Sequence, residues 1–473
     1  MTQISDLLDE EQRHEKRDLK RGLKDRHIQL IAIGGAIGVG LFLGSAKAIS
    51  KAGPALLVTY ALAGLAVFFI MRALGELLLH RPVAGSFATY AEEYVSPWAG
   101  YVTGWTYWFT WVVTGMAELT AIGVYFHYWF PNIPQWVPPL VALPILYGVN
   151  LIAVEVFGEL EFWFALIKVI TIVAMLAIGL GVIVFGFGDL GKTASFTNLW
   201  SHGGFAPVGL VGVVLTLQIA CFAYSGVELI GVTAGEAENA ERVLPHATNS
   251  ITYRILIFYI GALAVIMSLV PWNEINPHMS PFVTVFEKIG VPGSASIINF
   301  VVITAAASSC NSGIFSTGRM LYTLAQFGQA PAAFGKISKN HVPANAITVS
   351  ALLMLVAVAL NYLVPQEVFT YVTSVATVGA VWTWGIIVWA HLKYRKAVER
   401  GVAKPVSFRM PGAPYANWFV LGFLLLVTGC LAFDKGTRVA LYVAPAWFAL
   451  LTAGYLLSRN KMRSREPAVQ AVR

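Results

Sequence analysis

From about residue 28 to residue 458 the chain alternates between long apolar runs and short polar connections. A helical stretch of roughly 20 apolar residues, rising 1.5 Å per residue, covers about 30 Å of hydrocarbon. About twelve such spans can be laid out. They lie near residues 28–50, 54–79, 98–130, 137–155, 161–187, 208–233, 253–271, 293–325, 346–363, 368–392, 416–433 and 439–458. The third and eighth are too long for an upright helix, which predicts a strong tilt. The pattern predicts an all-α polytopic membrane protein with 12 transmembrane helices.

Glycine breaks two of the spans. The stretch Gly34-Gly35-Ala36-Ile37-Gly38-Val39-Gly40-Leu41-Phe42 interrupts the first, and Phe222-Ala223-Tyr224-Ser225-Gly226-Val227-Glu228-Leu229-Ile230-Gly231 the sixth. Within a bilayer, backbone N–H and C=O groups must be paired, so an interrupted helix persists only where its freed groups line a cavity or are buried in protein. Matching interruptions in two halves point to the central binding site of a transporter. Consecutive N–H groups in the first break, with the positive end of the half-helix that follows, suit a carboxylate. Carbonyls freed around Phe222, Ala223 and Tyr224 suit an ammonium group, and Ser225 and Gly226 leave room for a small ligand. Together the breaks fit a zwitterion. The competing reading of the glycines is close helix packing, and that of Phe222 and Tyr224 is ordinary aromatic packing.

Five spans precede the second break, so spans six to ten enter the membrane from the side opposite to spans one to five. An odd number per half forces the halves to be inverted, a 5+5 inverted repeat to which two C-terminal helices are added. The chain then divides into an N-terminal arm (1–26), a core (27–392, with repeats 27–190 and 205–392), a basic loop (393–415), helices eleven and twelve (416–458) and a tail (459–473). Basic residues cluster in the arm (Arg13, Lys16, Arg17, Lys20, Arg21, Lys24, Arg26), in the loop (Lys393, Arg395, Lys396, Arg400, Lys404, Arg409) and in the tail (Arg459, Lys461, Arg463, Arg465). The positive-inside rule places both termini in the cytoplasm, and the uncharged connection from Pro131 to Pro139 on the other side agrees.

Composition narrows the function classes. Of 473 residues, 57% are hydrophobic and only 12% charged, too few charges for an ordinary water-soluble protein. The net charge of +7 sits in the flanks of apolar spans, so it reads as membrane topology and not as nucleic-acid binding. Residues 1–26 lack an apolar core followed by a small-residue cleavage site, and the first span is expected to insert and stay. Cys221, Cys310 and Cys430 lie inside apolar segments as small packing residues, with no disulfide or metal pattern. No P-loop, nucleophile elbow or HExxH is present, so neither a cofactor nor ATP or hydrolytic chemistry is expected.

A charge at the centre of a span costs at least ~2.5 to 3.5 kcal/mol on insertion scales and is a functional candidate by default. Lys168 lies too deep in Phe162-Trp163-Phe164-Ala165-Leu166-Ile167-Lys168 for an end anchor. A lysine there can take the place of a coupling cation and release its proton during a cycle; the alternative is a permanently charged, snorkelling or paired lysine. Glu118, mid-span, would share a proton path, meet a substrate amine or pair with a serine or threonine. Glu228 would steer an amine or cap the resumed half-helix. Arg72, Glu76, Glu155, Glu159, Glu161 and Arg319, like His27, His80, His127 and His391, fall near span ends, where anchoring or gating pairs explain them.

The residues from Gly34 to Phe42 and from Phe222 to Glu228 resemble the first- and sixth-helix signatures of the amino acid–polyamine–organocation (APC) superfamily. Further matches are Met71 to Glu76, Gly104 to Trp108, Phe157 to Trp163 and Gly318 to Leu321. The resemblance runs from Leu19 to Leu457 and is to the bacterial amino acid transporter branch. His27 to Gly35, Trp108 to Met116, Ala305 to Ser309 and Asn311-Ser312-Gly313 are most similar to D-serine/D-alanine/glycine permeases, and proline- and histidine-type permeases are less similar there. The resemblance implies a LeuT-like fold in the bacterial inner membrane, working by alternating access as a proton-coupled importer of small neutral amino acids such as D-alanine, D-serine and glycine. It implies that backbone at Ile37, Gly38 and Gly40 holds the substrate carboxylate, that Phe222, Ala223 and Ser225 hold the amine, and that Lys168 and Glu118 couple to protons. The expected partners are the amino acid and the lipid bilayer, for a monomer or loose oligomer. Alternatives are a permease for L-alanine, proline or histidine, a passive facilitator or channel, or a nutrient sensor. An enzyme has the least support.

Overall fold

The computed structural model describes residues 37–83, 86–152, 154–188, 190–233, 245, 248–250, 253 and 255–463. The arm at 1–26, the first-break residues Gly34, Gly35 and Ala36, and the tail beyond 463 lie outside the described residues. The described chain begins at the unwound pair Ile37-Gly38, enters a π turn at Gly40–Gly44 and continues as α1 (Ser45–Ala52). A turn at Gly53–Ala55, where Gly53 adopts φ +61°, leads into α2 (Leu56–His80). Then follow α3 (Ser86–Tyr94), α4 (Pro97–Phe126), α5 (Val137–Asn150), α6 (Val154–Phe185), α7 (Gly209–Tyr224) and α8 (Leu229–Thr233). After a π segment at Ile255–Gly261 come α9 (Ala262–Leu269), α10 (Pro281–Ile289), α11 (Ser294–Gln326), α12 (Ala344–Met354), α13 (Val356–Leu363), α14 (Val368–Glu399), α15 (Tyr415–Cys430) and α16 (Arg438–Arg463).

Among the described residues nine helical runs are long and apolar enough to cross a membrane, and α5 and α15 are shorter apolar helices. The first and second expected spans form one run, Gly40–His80, joined through the turn at Gly53–Ala55. The fourth expected span stops at Asn150 rather than 155, and the third at Phe126 rather than 130. Two short helices, α3 and α10, were not anticipated from the apolar pattern because nine residues of mixed polarity fall far below spanning length. Each directly precedes one of the two long helices at the centre, α4 and α11. The start of α4 is dictated locally: Pro97 needs no amide partner in the first turn, and Ser96 Oγ accepts the Ala99 N–H at 3.1 Å.

The most extensive packing is between α4 and α11, followed by α4 with α14. Small residues let these backbones approach: a Cβ added to Gly379 would lie 1.8 Å from Thr110 Oγ1. Hydroxyls inside the bundle turn back on their own helices, as Thr110 does to the Thr106 carbonyl at 2.7 Å and Thr377 to the Thr373 carbonyl at 2.8 Å. These two hydroxyls are thus paired without water. The periphery is apolar. Trp163, Ile170, Val173 and Val184 on α6 and Leu450 and Leu457 on α16 are exposed, as a lipid-facing surface requires.

The bundle has two chemically different faces. On one, the basic segment after α14 is fastened to helix ends by Glu76, whose carboxylate meets His391 Nε2 at 3.0 Å, Arg395 at 3.2 Å and the Met410 N–H at 2.7 Å. Arg72 stacks over Phe408 at 3.7 Å. Glu76 and His391 are therefore buried structural ties rather than simple interfacial anchors. On the other face, a funnel opens between α1, the end of α4 and the connections that precede α10 and α14.

Candidate substrate site at two broken helices

The second break is fully described. Helix α7 ends at Tyr224, the chain unwinds through Ser225 to Glu228, and α8 resumes at Leu229. Gly226 has φ +97°, a conformation open to glycine and strained for other residues. Glu228 caps the turn: its carboxylate accepts the Gly226 N–H at 3.2 and 3.3 Å and Trp384 Nε1–H at 3.1 Å. The structural reading of Glu228 accounts for these bonds. The carbonyls freed by the break are already engaged on the protein side. The Phe222 carbonyl accepts from the Ser225 N–H at 3.0 Å, and the Ala223 carbonyl accepts from the Tyr259 hydroxyl at 2.9 Å. Each carbonyl oxygen still has a second lone pair.

The two breaks lie directly against each other. A Cβ added to Gly40 would lie 2.5 Å from Ala223 Cα, so glycine is what allows the first break to touch the second. Ile37, Phe222 and Ala223 are buried, while Ser225 is half-buried with its Oγ donating to the Cys221 carbonyl at 3.2 Å. Gly38 is surrounded by polar atoms from other helices: an added Cβ would meet Glu118 Oε1 at 2.6 Å and Ser309 Oγ at 3.0 Å.

Glu118, on α4, reaches the start of the first described helical segment, where Val39 N–H donates to its Oε2 at 3.4 Å. Ser309 of α11 hydrogen-bonds the same carboxylate. Lys168, fully buried on α6, lies within electrostatic reach of both Glu118 and Glu161. Glu161 accepts from Ser308 Oγ at 2.6 Å, with Asn311 and Ser312 beside it. Asn150 Nδ2 of α5 donates to Asn311 Oδ1 at 2.7 Å. A buried line of ionisable groups, Glu161, Lys168 and Glu118, thus leads to the first break.

Glu161 differs from its expected role at a span end. It is fully buried and belongs to the lysine's environment. The signal was present in the spacing, because residues seven apart on a helix share a face and are separated by about 10 Å along the axis. Tyr259 left no such signal, since its bond to Ala223 joins elements distant in sequence. Among the described residues no group of three or more His, Cys, Asp or Glu side chains is placed to hold a metal ion. Cys310 packs with its Sγ 3.9 Å from the Gly115 carbonyl.

Residues 27–468 match the family described as Amino acid permease. The chain belongs to the amino acid permease family. It is similar to the uncharacterized amino acid permease YtnA of Bacillus subtilis, at 54% identity over 93% of this chain and 95% of the relative. The probable threonine/serine transporter YbxG of Bacillus subtilis is 50% identical over 93% of this chain and 95% of its own. The D-serine/D-alanine/glycine transporter of Escherichia coli is 47% identical over 94% of this chain and 95% of its own. The permease therefore matches these relatives over nearly their whole length.

Proposed function

We propose that this permease is a proton-coupled importer of small neutral amino acids, D-alanine, D-serine and glycine, working by alternating access in an inverted-repeat bundle with both termini in the cytoplasm. The observation that carries the reading is the position of Glu118, bonded to the Val39 amide and within reach of Lys168. A helix start favours an anion, and a substrate carboxylate arriving at Ile37, Gly38 and Gly40 competes with Glu118 for that favourable end. Displaced toward Lys168, Glu118 alters the charge balance that holds the lysine's proton. Substrate occupancy and protonation are then linked through one carboxylate. The ammonium group is received at Phe222, Ala223 and Ser225 on the facing break, through the remaining carbonyl lone pairs.

The name carried by the relative YbxG supports threonine and serine as the second substrate reading. The test is uptake of labelled glycine into proteoliposomes under an imposed proton gradient, competed with D- and L-isomers of alanine and serine and with threonine, proline and histidine. Accumulation driven by the gradient and competed best by D-alanine and D-serine is the expected result. Uptake indifferent to the gradient removes proton coupling, and stronger competition by threonine or L-serine moves the substrate assignment.

A further inference from the structure

The funnel on the face opposite the basic loop has a volume of about 410 Å³. Its lining includes Lys47, His127, His278, Gln135, Gln366 and Phe369 and, among the described residues, no carboxylate. Lys47 projects from α1, three residues beyond the π turn that follows the first break. Its Nζ bonds Thr370 Oγ1 at 3.1 Å and lies 5.6 Å from the Phe369 ring centre. The same lysine lines a smaller inner pocket together with Gln218, Phe222 and Thr373. Phe222 stands at the second break and meets Phe369 edge-on at 6.3 Å. Lys47 is therefore the charged group shared by the mouth and the pocket that abuts the site.

We infer that Lys47 is a charge filter in the mouth of this permease, a waypoint that attracts the carboxylate of an incoming zwitterionic amino acid and turns away amino acids with cationic side chains. The inference rests on the transport reading above. Lys47 is half-buried in the wall common to the two cavities. Two carboxylates lie near Lys47, Glu367 and Asp434, the latter tied to Lys51, and neither lines either cavity. His127 is held by a bond from its Nδ1 to the Ile133 carbonyl at 3.4 Å, and His278 is exposed. A fixed charge in a cleft with low-dielectric walls focuses its field on whatever enters, which lets one side chain select among solutes of different charge.

Two measurements test this, one independent of transport. With a reporter cysteine at Val124→Cys, across the funnel, the purified protein is labelled by anionic and cationic methanethiosulfonate reagents. With Lys47 present the anionic reagent reacts faster relative to the cationic one. Lys47→Met lowers that ratio by about tenfold, and Lys47→Glu reverses it. In proteoliposomes, Lys47→Glu raises the KM for glycine more than it lowers the maximal rate, and arginine and lysine become competitors of uptake. An unchanged labelling ratio in Lys47→Met overturns the filter whether or not the protein transports. Absence of wild-type uptake with a normal ratio instead removes the transport reading and leaves the charged funnel in place.

Discussion

The Val39 amide donates to Glu118 Oε2 at 3.4 Å, placing a protein carboxylate at the helix start where an arriving carboxylate would also be stabilised. Two anions do not share one such end without mutual repulsion, so on the proposed reading a substrate carboxylate bound at the break shifts Glu118, protonates it, or both. Because Glu118 also faces Lys168, that shift is felt by the one lysine buried on α6. Lys168→Ala is expected to abolish accumulation against a gradient while leaving exchange of labelled for unlabelled substrate across the membrane. Glu118→Gln, which keeps the shape but not the charge, is expected to flatten the pH dependence of uptake. Counterflow and gradient-driven uptake measured in the same vesicles separate the two effects. Full concentrative uptake by Lys168→Ala would remove that residue from coupling.

Glu161 supports the same lysine from the other side. Breaking one partner from a buried charged group costs about 3 kcal/mol or more, because the group left behind stays desolvated and unpaired. Glu161→Ala is therefore expected to lower the thermal stability of the detergent-solubilised protein markedly. Glu161→Gln, which retains an acceptor for Ser308 Oγ, should cost less. Equal melting temperatures for the Ala variant and the wild type would show that Glu161 does not share charge with Lys168.

How much of this was legible in the sequence follows from the range of the interactions. Apolar runs and glycine breaks are local, so the apolar helices and the break at Ser225 to Glu228 could be placed before any coordinates, as could the mid-span positions of Lys168 and Glu118. Glu161 was half-legible, because its spacing from Lys168 puts both on one face, yet its nearness to the start of the apolar run suggested an anchor. The bonds from Tyr259 to Ala223, Ser308 to Glu161 and Asn150 to Asn311 join residues on different helices, and no pattern within one helix encodes them. The role of Lys47 was hidden for the same reason: its partners Thr370 and Phe369 lie on α14.

Contact between the breaks leaves no room for a methyl group. At Gly40 an added Cβ meets the Cα of Ala223, backbone that cannot rotate away. Gly40→Ala is expected to push the two breaks apart and to reduce uptake by about a hundredfold, the scale of loss that a displacement near 1 Å causes at a reacting or binding centre. Ala223→Gly in addition removes only the methyl, not the Cα, and so should not restore uptake. A well-folded Gly40→Ala variant, judged by size-exclusion profile and melting temperature, with normal uptake would show that the breaks need not touch.

Asp434, in the turn between α15 and α16, ties that turn to Lys51 at the end of α1. Burial pushes its carboxyl up, but the bond from Lys51, the Gly436 N–H at 2.8 Å and the charge of Lys47 outweigh it and hold the group below its ordinary value. A carboxyl depressed in the folded state stabilises the fold above its unfolded-state pKa, and that contribution fades as pH falls through the folded value. The tie is therefore intact at neutral pH and is lost progressively below about pH 4. Asp434→Asn should melt at a lower temperature than the wild type at pH 7, and the gap between the two should close as the pH is lowered past that point. A gap that persists unchanged into acid would mean that hydrogen bonding to Gly436 and packing, and not the charge on Asp434, hold α1 to this turn.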